Sequence, residues 1–180
     1  MLSELPSHIP SPYQGVISLP QGRCPVRLAL YQPDIPQNLG AAIRLTACLG
    51  VPLDIIEPCA FPLLDKSLRR TAMDYIDQAE ITRWPGWRTY RDAMTAEGWR
   101  IVLLTTAGAV PLQTFSFAPT DVILMGSESG GVDDPVHAAV EGRVLIPQAP
   151  GPRCLNVVSA ASIAVFEALR QTGRLPGSSA

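Results

Sequence analysis

Residues 121–131 read Asp121-Val122-Ile123-Leu124-Met125-Gly126-Ser127-Glu128-Ser129-Gly130-Gly131, an apolar run that hands over directly to a glycine-rich turn. A strand with no polar face has to be covered on both sides, which is the mark of a buried, mainly parallel sheet. The same kind of run recurs at residues 26–31, 53–57, 100–105 and 143–147, each short and rich in Val, Ile and Leu. Between these lie helical patterns at residues 38–49, 64–75, 87–96, 135–140 and 155–171. Strands alternating with helices predict an α/β fold, a mainly parallel sheet flanked by helices. Asn38 is expected to cap the first helix, which Gly50 closes, and Gly173 closes the last one. Residues 1–25 carry five prolines without a sustained hydrophobic period and are expected to be a tail. One domain is expected over residues 26–175, with a second short tail at 176–180.

Composition narrows the function classes. The 180-residue chain is 47% hydrophobic and 17% charged, an ordinary globular balance with enough length for a sizeable core. No apolar run approaches the roughly 18 residues of a membrane span. The first 22 residues lack Lys and Arg, so the basic start of a targeting signal is missing and a cytoplasmic location is expected. Cys24, Cys48, Cys59 and Cys154 form no C-x-x-C pair, and only two histidines accompany them. Neither a structural zinc site nor a disulfide framework is therefore expected. Net charge is −2, against the basic footprint usual in a nucleic-acid binder. Thirteen of the fourteen basic residues are nevertheless Arg, whose planar fork suits phosphates and bases. A GC-rich genome favouring Arg codons is the weightier explanation of that bias, so particular arginines have to decide.

Three segments carry candidate chemistry, and in such sheets ligands bind beyond the carboxyl ends of the strands. In Asn38-Leu39-Gly40-Ala41-Ala42-Ile43-Arg44, Gly40 and Arg44 share a helix face, leaving room for a ligand beneath a long cation. The helix N-terminus adds free N–H groups that favour a phosphate. By itself the segment also reads as a capped helix with a solvated Arg. The turn Gly126–Gly131 permits close backbone approach, with Glu128 as an acceptor, yet matches neither G-x-G-x-x-G nor Walker A. It reads equally as a tight connection with a solvated Glu. In the third segment Ile146 and Pro147 lead through Pro150, Gly151 and Pro152 to Arg153-Cys154-Leu155-Asn156, where Asn156 either caps the last helix or reads a ligand edge. Lys66, Arg69 and Arg70 form a basic triplet, either a solvated helix face or a phosphate-contacting patch.

In this order the motifs resemble those of the SPOUT superfamily of RNA methyltransferases, in its TrmH-like ribose 2′-O-methyltransferase branch. N-x-G-x-x-x-R is met by Asn38, Gly40 and Arg44; G-x-E-x-x-G by Gly126, Glu128 and Gly131; and the I-P…L-N run by Ile146, Pro147, Leu155 and Asn156. More narrowly, the stretch from Leu30 to Asn38, Ile56-Glu57-Pro58, Asp74-Tyr75 and Leu104-Thr105-Thr106 are similar to the small methyltransferases acting on the tRNA wobble nucleotide. The resemblance covers about residues 26–172. It implies a SPOUT fold with a C-terminal trefoil knot, a rare exception to unknotted chains. It also implies S-adenosylmethionine as cofactor, a homodimer, and the tRNA anticodon arm as partner.

By position, the resemblance implies that Leu104, Gly126, Ile146, Cys154 and Leu155 hold the cofactor. Arg44 is then placed at the ribose whose 2′-hydroxyl is methylated, with Asn38, Glu128 and Asn156 shaping the site. Lys66, Arg69, Arg70 and Arg153 are the implied RNA contacts. Many relatives carry Ser where this chain has Cys154, and a thiol is the poorer hydrogen-bond partner. Arg is a poor general base, being always charged, so orientation of the ribose and stabilisation of developing alkoxide charge fit it better. Two other readings stay open: the same chemistry on ribosomal RNA or another tRNA position, and a non-catalytic module that only holds a nucleotide or RNA.

Overall fold

The computed structural model describes residues 26–62, 73–107, 109–151 and 154–177. The described residues form strands β1 (Arg27–Tyr31), β2 (Leu53–Ile56), β3 (Ile81–Trp84), β4 (Arg100–Leu104), β5 (Val110–Pro111), β6 (Asp121–Met125) and β7 (Gly142–Leu145), the five apolar runs giving β1, β2, β4, β6 and β7. Helices α1 (Pro36–Leu49), α2 (Trp87–Ala96), α3 (Asp134–Ala139) and α4 (Val157–Gln171) lie between or after them, with 3-10 turns at Met73–Asp77 and Leu112–Thr114. All pairings are parallel, in the order β3-β2-β1-β6-β4-β7-β5.

Central strands bury both faces, as their uninterrupted apolar sequence requires. Leu28, Leu30, Ile123 and Met125 pack on one side with Leu39, Ile43, Ala161 and Val165 of α1 and α4. Ala29, Tyr31, Val122 and Leu124 pack on the other with Tyr90, Met94 and Val136 of α2 and α3. Two carboxylates sit inside this core, both fully buried and both answered. Asp54 accepts from Arg27 Nε and Nη2 (2.8 and 2.7 Å), from Trp84 Nε1 (3.0 Å) and from the Tyr90 hydroxyl (3.3 Å). Burial opposes the Arg27 charge, but Asp54 outweighs it and the guanidinium is held above its ordinary pKa. Asp121 accepts from Arg100 Nε and Nη2, each at 2.7 Å.

Two strands escape the sequence reading. In β3, Thr82 and Arg83 interrupt the apolar run and are half-exposed, because this strand is the sheet edge. In β5 only two residues pair, with Val144 and Leu145 of β7. The start of α1 is a correction. Asn38 is not the N-cap: Pro36 occupies the first turn and Ile35 is the cap, without a side-chain hydrogen bond. Proline's fixed φ and missing N–H suit that position, which leaves the Asn38 side chain free to face the sheet ends. Gly50 does end α1 in the left-handed region at φ +65°, and Gly173 at φ +67° follows α4. The expected helix over 64–75 falls mostly on residues 63–72, outside the described residues, as do residues 1–25, 108, 152–153 and 178–180.

Candidate functional site: a cleft at the strand ends

Beyond the carboxyl ends of β4, β6 and β7 a cleft of about 410 Å³ opens against the first turns of α1 and α4. Leu103, Leu104, Met125, Ile146, Leu155 and Val157 give it apolar walls. Its polar floor is built where three chain segments meet. Asn156 Oδ1 accepts from the Val158 and Ser159 amides (2.9 and 3.3 Å), the expected N-cap of α4. The same side chain donates through Nδ2 to Asn38 Oδ1 (3.0 Å), and Asn38 Nδ2 donates onward to Glu128 Oε1 (2.8 Å). Helix cap, first helix and glycine turn are thereby joined in one hydrogen-bonded chain.

The turn itself is a closed ring. Ser127 and Gly131 exchange backbone hydrogen bonds of 2.9 Å in both directions, and Gly131 takes φ +68°. A Cβ on Gly126 would lie 2.6 Å from the Gly131 carbonyl carbon, so no larger residue fits without rebuilding the turn. Glu128 is half-buried, and burial together with the neighbouring Asp34 carboxyl pushes its pKa above the ordinary value. Asp34 is held below its own ordinary value, chiefly by Glu128 and then by Ser129.

All five residues expected at the cofactor, Leu104, Gly126, Ile146, Cys154 and Leu155, line this cleft, as do Asn38, Glu128 and Asn156. Arg44 does not. It stands exposed on α1, six residues beyond Asn38 and hence about 9 Å along the axis, with its guanidinium 5.1 Å over the Tyr75 ring. Lys66, Arg69, Arg70 and Arg153 lie outside the described residues. The sequence reading missed Thr105, Thr106 and Gln148 as lining residues, and Asp34 as a partner of the turn. Polar residues directly after an apolar strand were the available signal for the threonines.

Among the described lining residues Glu128 and Cys154 are the only ionisable side chains, and none is basic. A polyphosphate would meet no cation there. Apolar walls around a floor with one carboxyl and several amides suit a nucleoside bearing positive charge. Backbone close to Gly126 and the polar residues Thr105, Thr106 and Gln148 line the edge of the cleft.

A seven-stranded parallel sheet with such a cleft beyond its strand ends defines an α/β protein with a ligand site where open parallel sheets place one. A profile of the SpoU rRNA Methylase family matches residues 25–166, and the chain belongs to that family. It is 50% identical over 148 residues to a tRNA (cytidine(34)-2′-O)-methyltransferase of Beijerinckia indica, covering 82% of this chain and 92% of that one. Identity to the enzyme of the same name in Escherichia coli K12 is 36% over 150 residues, covering 82% and 94%. A solved structure giving insights into 2-OH methylation of C/U34 on tRNA superposes with a TM-score of 0.76 at 35% identity, covering 81% of this chain and 95% of that chain. The AdoMet-bound rRNA methyltransferase of Sinorhizobium meliloti superposes with a TM-score of 0.74 at 26% identity, covering 81% and 56%.

Proposed function

We propose that this chain methylates the ribose 2′-hydroxyl of the wobble nucleotide of tRNA, cytidine or uridine 34, with S-adenosylmethionine as methyl donor. The observation that carries the reading is the Asn38–Glu128–Asn156 chain on the floor of a cleft whose described lining has no basic side chain. Relatives of matching length that carry this activity in their names support it. The cofactor, when bound, supplies an electrophilic methyl group on a sulfonium. Leu104, Ile146 and Leu155 would enclose its adenine, and Gly126 would let the backbone approach closely.

The protein's own work is positioning. Asn156 holds Asn38 and Asn38 holds Glu128, which fixes the polar face that the ribose meets. Arg44, outside the cofactor cleft, approaches the ribose and its phosphate from the solvent side and stabilises charge developing on the 2′-oxygen. An acceptor that exists only in RNA restricts the substrate to RNA. Lys66, Arg69, Arg70 and Arg153 would supply phosphate contacts to the anticodon arm.

The working unit in this reading is a cytoplasmic homodimer of one catalytic domain, residues 26–175. Ile163 and Phe166 of α4 are 42% and 50% exposed beside Leu112 and Pro147, an apolar face suited to a second copy. A C-terminal trefoil knot is supported by β7, which lies between β4 and β5, the two arms of one connection. The test is incubation with labelled S-adenosylmethionine and, in parallel, tRNA lacking wobble methylation or unmethylated ribosomal RNA, followed by nuclease mapping. Label confined to the wobble nucleotide is expected; label only in ribosomal RNA would move the substrate, and none in either would refute the enzyme.

A further inference from the structure

The glycine turn is gripped from outside by a residue that none of the three motifs contains. Asp34, between β1 and α1, is 94 positions from Glu128 and exchanges hydrogen bonds with it in both directions. The Asp34 amide donates to Glu128 Oε2 (3.1 Å), and the Glu128 amide donates to Asp34 Oδ1 (3.3 Å). Asp34 Oδ2 accepts from the Ser129 amide (3.1 Å) and from the Ser129 hydroxyl. The carboxylate therefore holds two successive backbone amides of the turn, while its own amide fixes the oxygen of Glu128 that Asn38 does not reach.

The geometry points to Asp34 as a positioning residue for the methyl transfer, setting the Glu128 carboxyl and, through it, the Asn38 amide. The inference rests on the reading given under Proposed function. What separates this role from simple loop support is the Ser127–Gly131 ring, which closes the turn without Asp34. The turn should therefore persist as a wall of the cofactor cleft when Asp34 is changed, and only the orientation of Glu128 and Ser129 should be lost. Asp34 itself is not among the residues lining the cleft, so the change removes no cofactor contact.

Asp34→Asn keeps the shape and one acceptor but turns an amide N–H toward the Ser129 N–H, donor against donor. Ser129→Ala removes only the hydroxyl contact. The experiment compares both variants with the unaltered full chain for kcat and KM on tRNA, calorimetric Kd for S-adenosylmethionine, and melting temperature. Losing one or two charge-assisted hydrogen bonds predicts a kcat about 10- to 100-fold lower for Asp34→Asn. Its cofactor Kd should stay within about threefold, with a melting temperature lowered by no more than a few degrees, and Ser129→Ala should show the same split in milder form. Unchanged kcat in Asp34→Asn overturns the inference while leaving the proposed function standing. So does a kcat loss matched by equal losses in cofactor affinity and melting temperature, which would mark a merely structural role. An unaltered chain that methylates no tRNA overturns both.

Discussion

Asn156 does two things with two ends of one amide, and two substitutions separate them. Its oxygen caps α4 by accepting from Val158 and Ser159, and its nitrogen donates to Asn38. Asn156→Ala removes both, and losing an N-cap acceptor costs about 1 kcal/mol. In a chain of this size that is about 2–4 °C in Tm. Asn156→Asp keeps the acceptor and places a negative charge at the positive end of a helix, worth about 0.3–1 kcal/mol in its favour. Its second oxygen now faces the Asn38 oxygen, so the link to Glu128 is broken. Leaving that polar group unmatched costs about 1–3 kcal/mol, which at about 1.4 kcal/mol per tenfold lowers turnover roughly 5- to 150-fold. Differential scanning calorimetry and single-turnover methyl transfer, run on both variants, read the two effects separately. Asn156→Asp should melt above Asn156→Ala, nearer the parent, and turn over slowly, whereas Asn156→Ala should lose both. An Asn156→Asp protein with full activity would refute the positioning chain, and an Asn156→Ala protein with full thermal stability would refute the cap.

Asp54→Ala strands a buried guanidinium and two aromatic donors, so urea denaturation should show a loss of about 3–5 kcal/mol. Cys154 is exposed at the cleft wall. If only its backbone and bulk serve the cofactor, Cys154→Ser should keep Kd for S-adenosylmethionine within about threefold; a gain of tenfold or more would show that a hydroxyl at that position matters. Arg170 and Gln171 together hold the Glu167 carboxyl down at about 2 from 4.5. Its folded pKa lies below the unfolded value, so its stabilising contribution is complete above about pH 4.5 and is lost as pH falls toward 2. Glu167→Gln should flatten the pH dependence of Tm across that window, and an unaltered slope would assign it to other groups.

How legible the molecule is from sequence depends on whether a residue's environment is local. β1 and β6 announce themselves because both faces of each are buried, so every residue is apolar apart from Arg27 and Asp121, whose partners Asp54 and Arg100 are distant in sequence. β3 does not, because an edge strand can carry Thr82 and Arg83 half-exposed, and β5 is too short to have a pattern. Asn38 was legible from its motif as a residue shaping the site, but the cap expected of it is not formed. Pro36 two residues earlier takes the helix start, so the side chain turns to Glu128 instead of the backbone. Glu128, Asn156 and the residues of the cleft wall could be named from their motifs. Asp34 lies in the Leu30–Asn38 stretch that carries the resemblance, but its role could not be named, since the turn it holds is 94 positions away. Arg44 was singled out by its motif, yet no spacing rule could say that it would stand outside the cleft its motif partners line.

The central claim is that the methyl group goes to a ribose oxygen of one nucleotide. Two synthetic tRNAs identical except for a single 2′-deoxyribose at the wobble position give the most direct test, with methyl incorporation from labelled S-adenosylmethionine as the readout. The all-ribose tRNA should accept close to one methyl per molecule and the deoxy-substituted one none. Equal incorporation into both would contradict the account, because the methyl would then rest on a base or on another nucleotide.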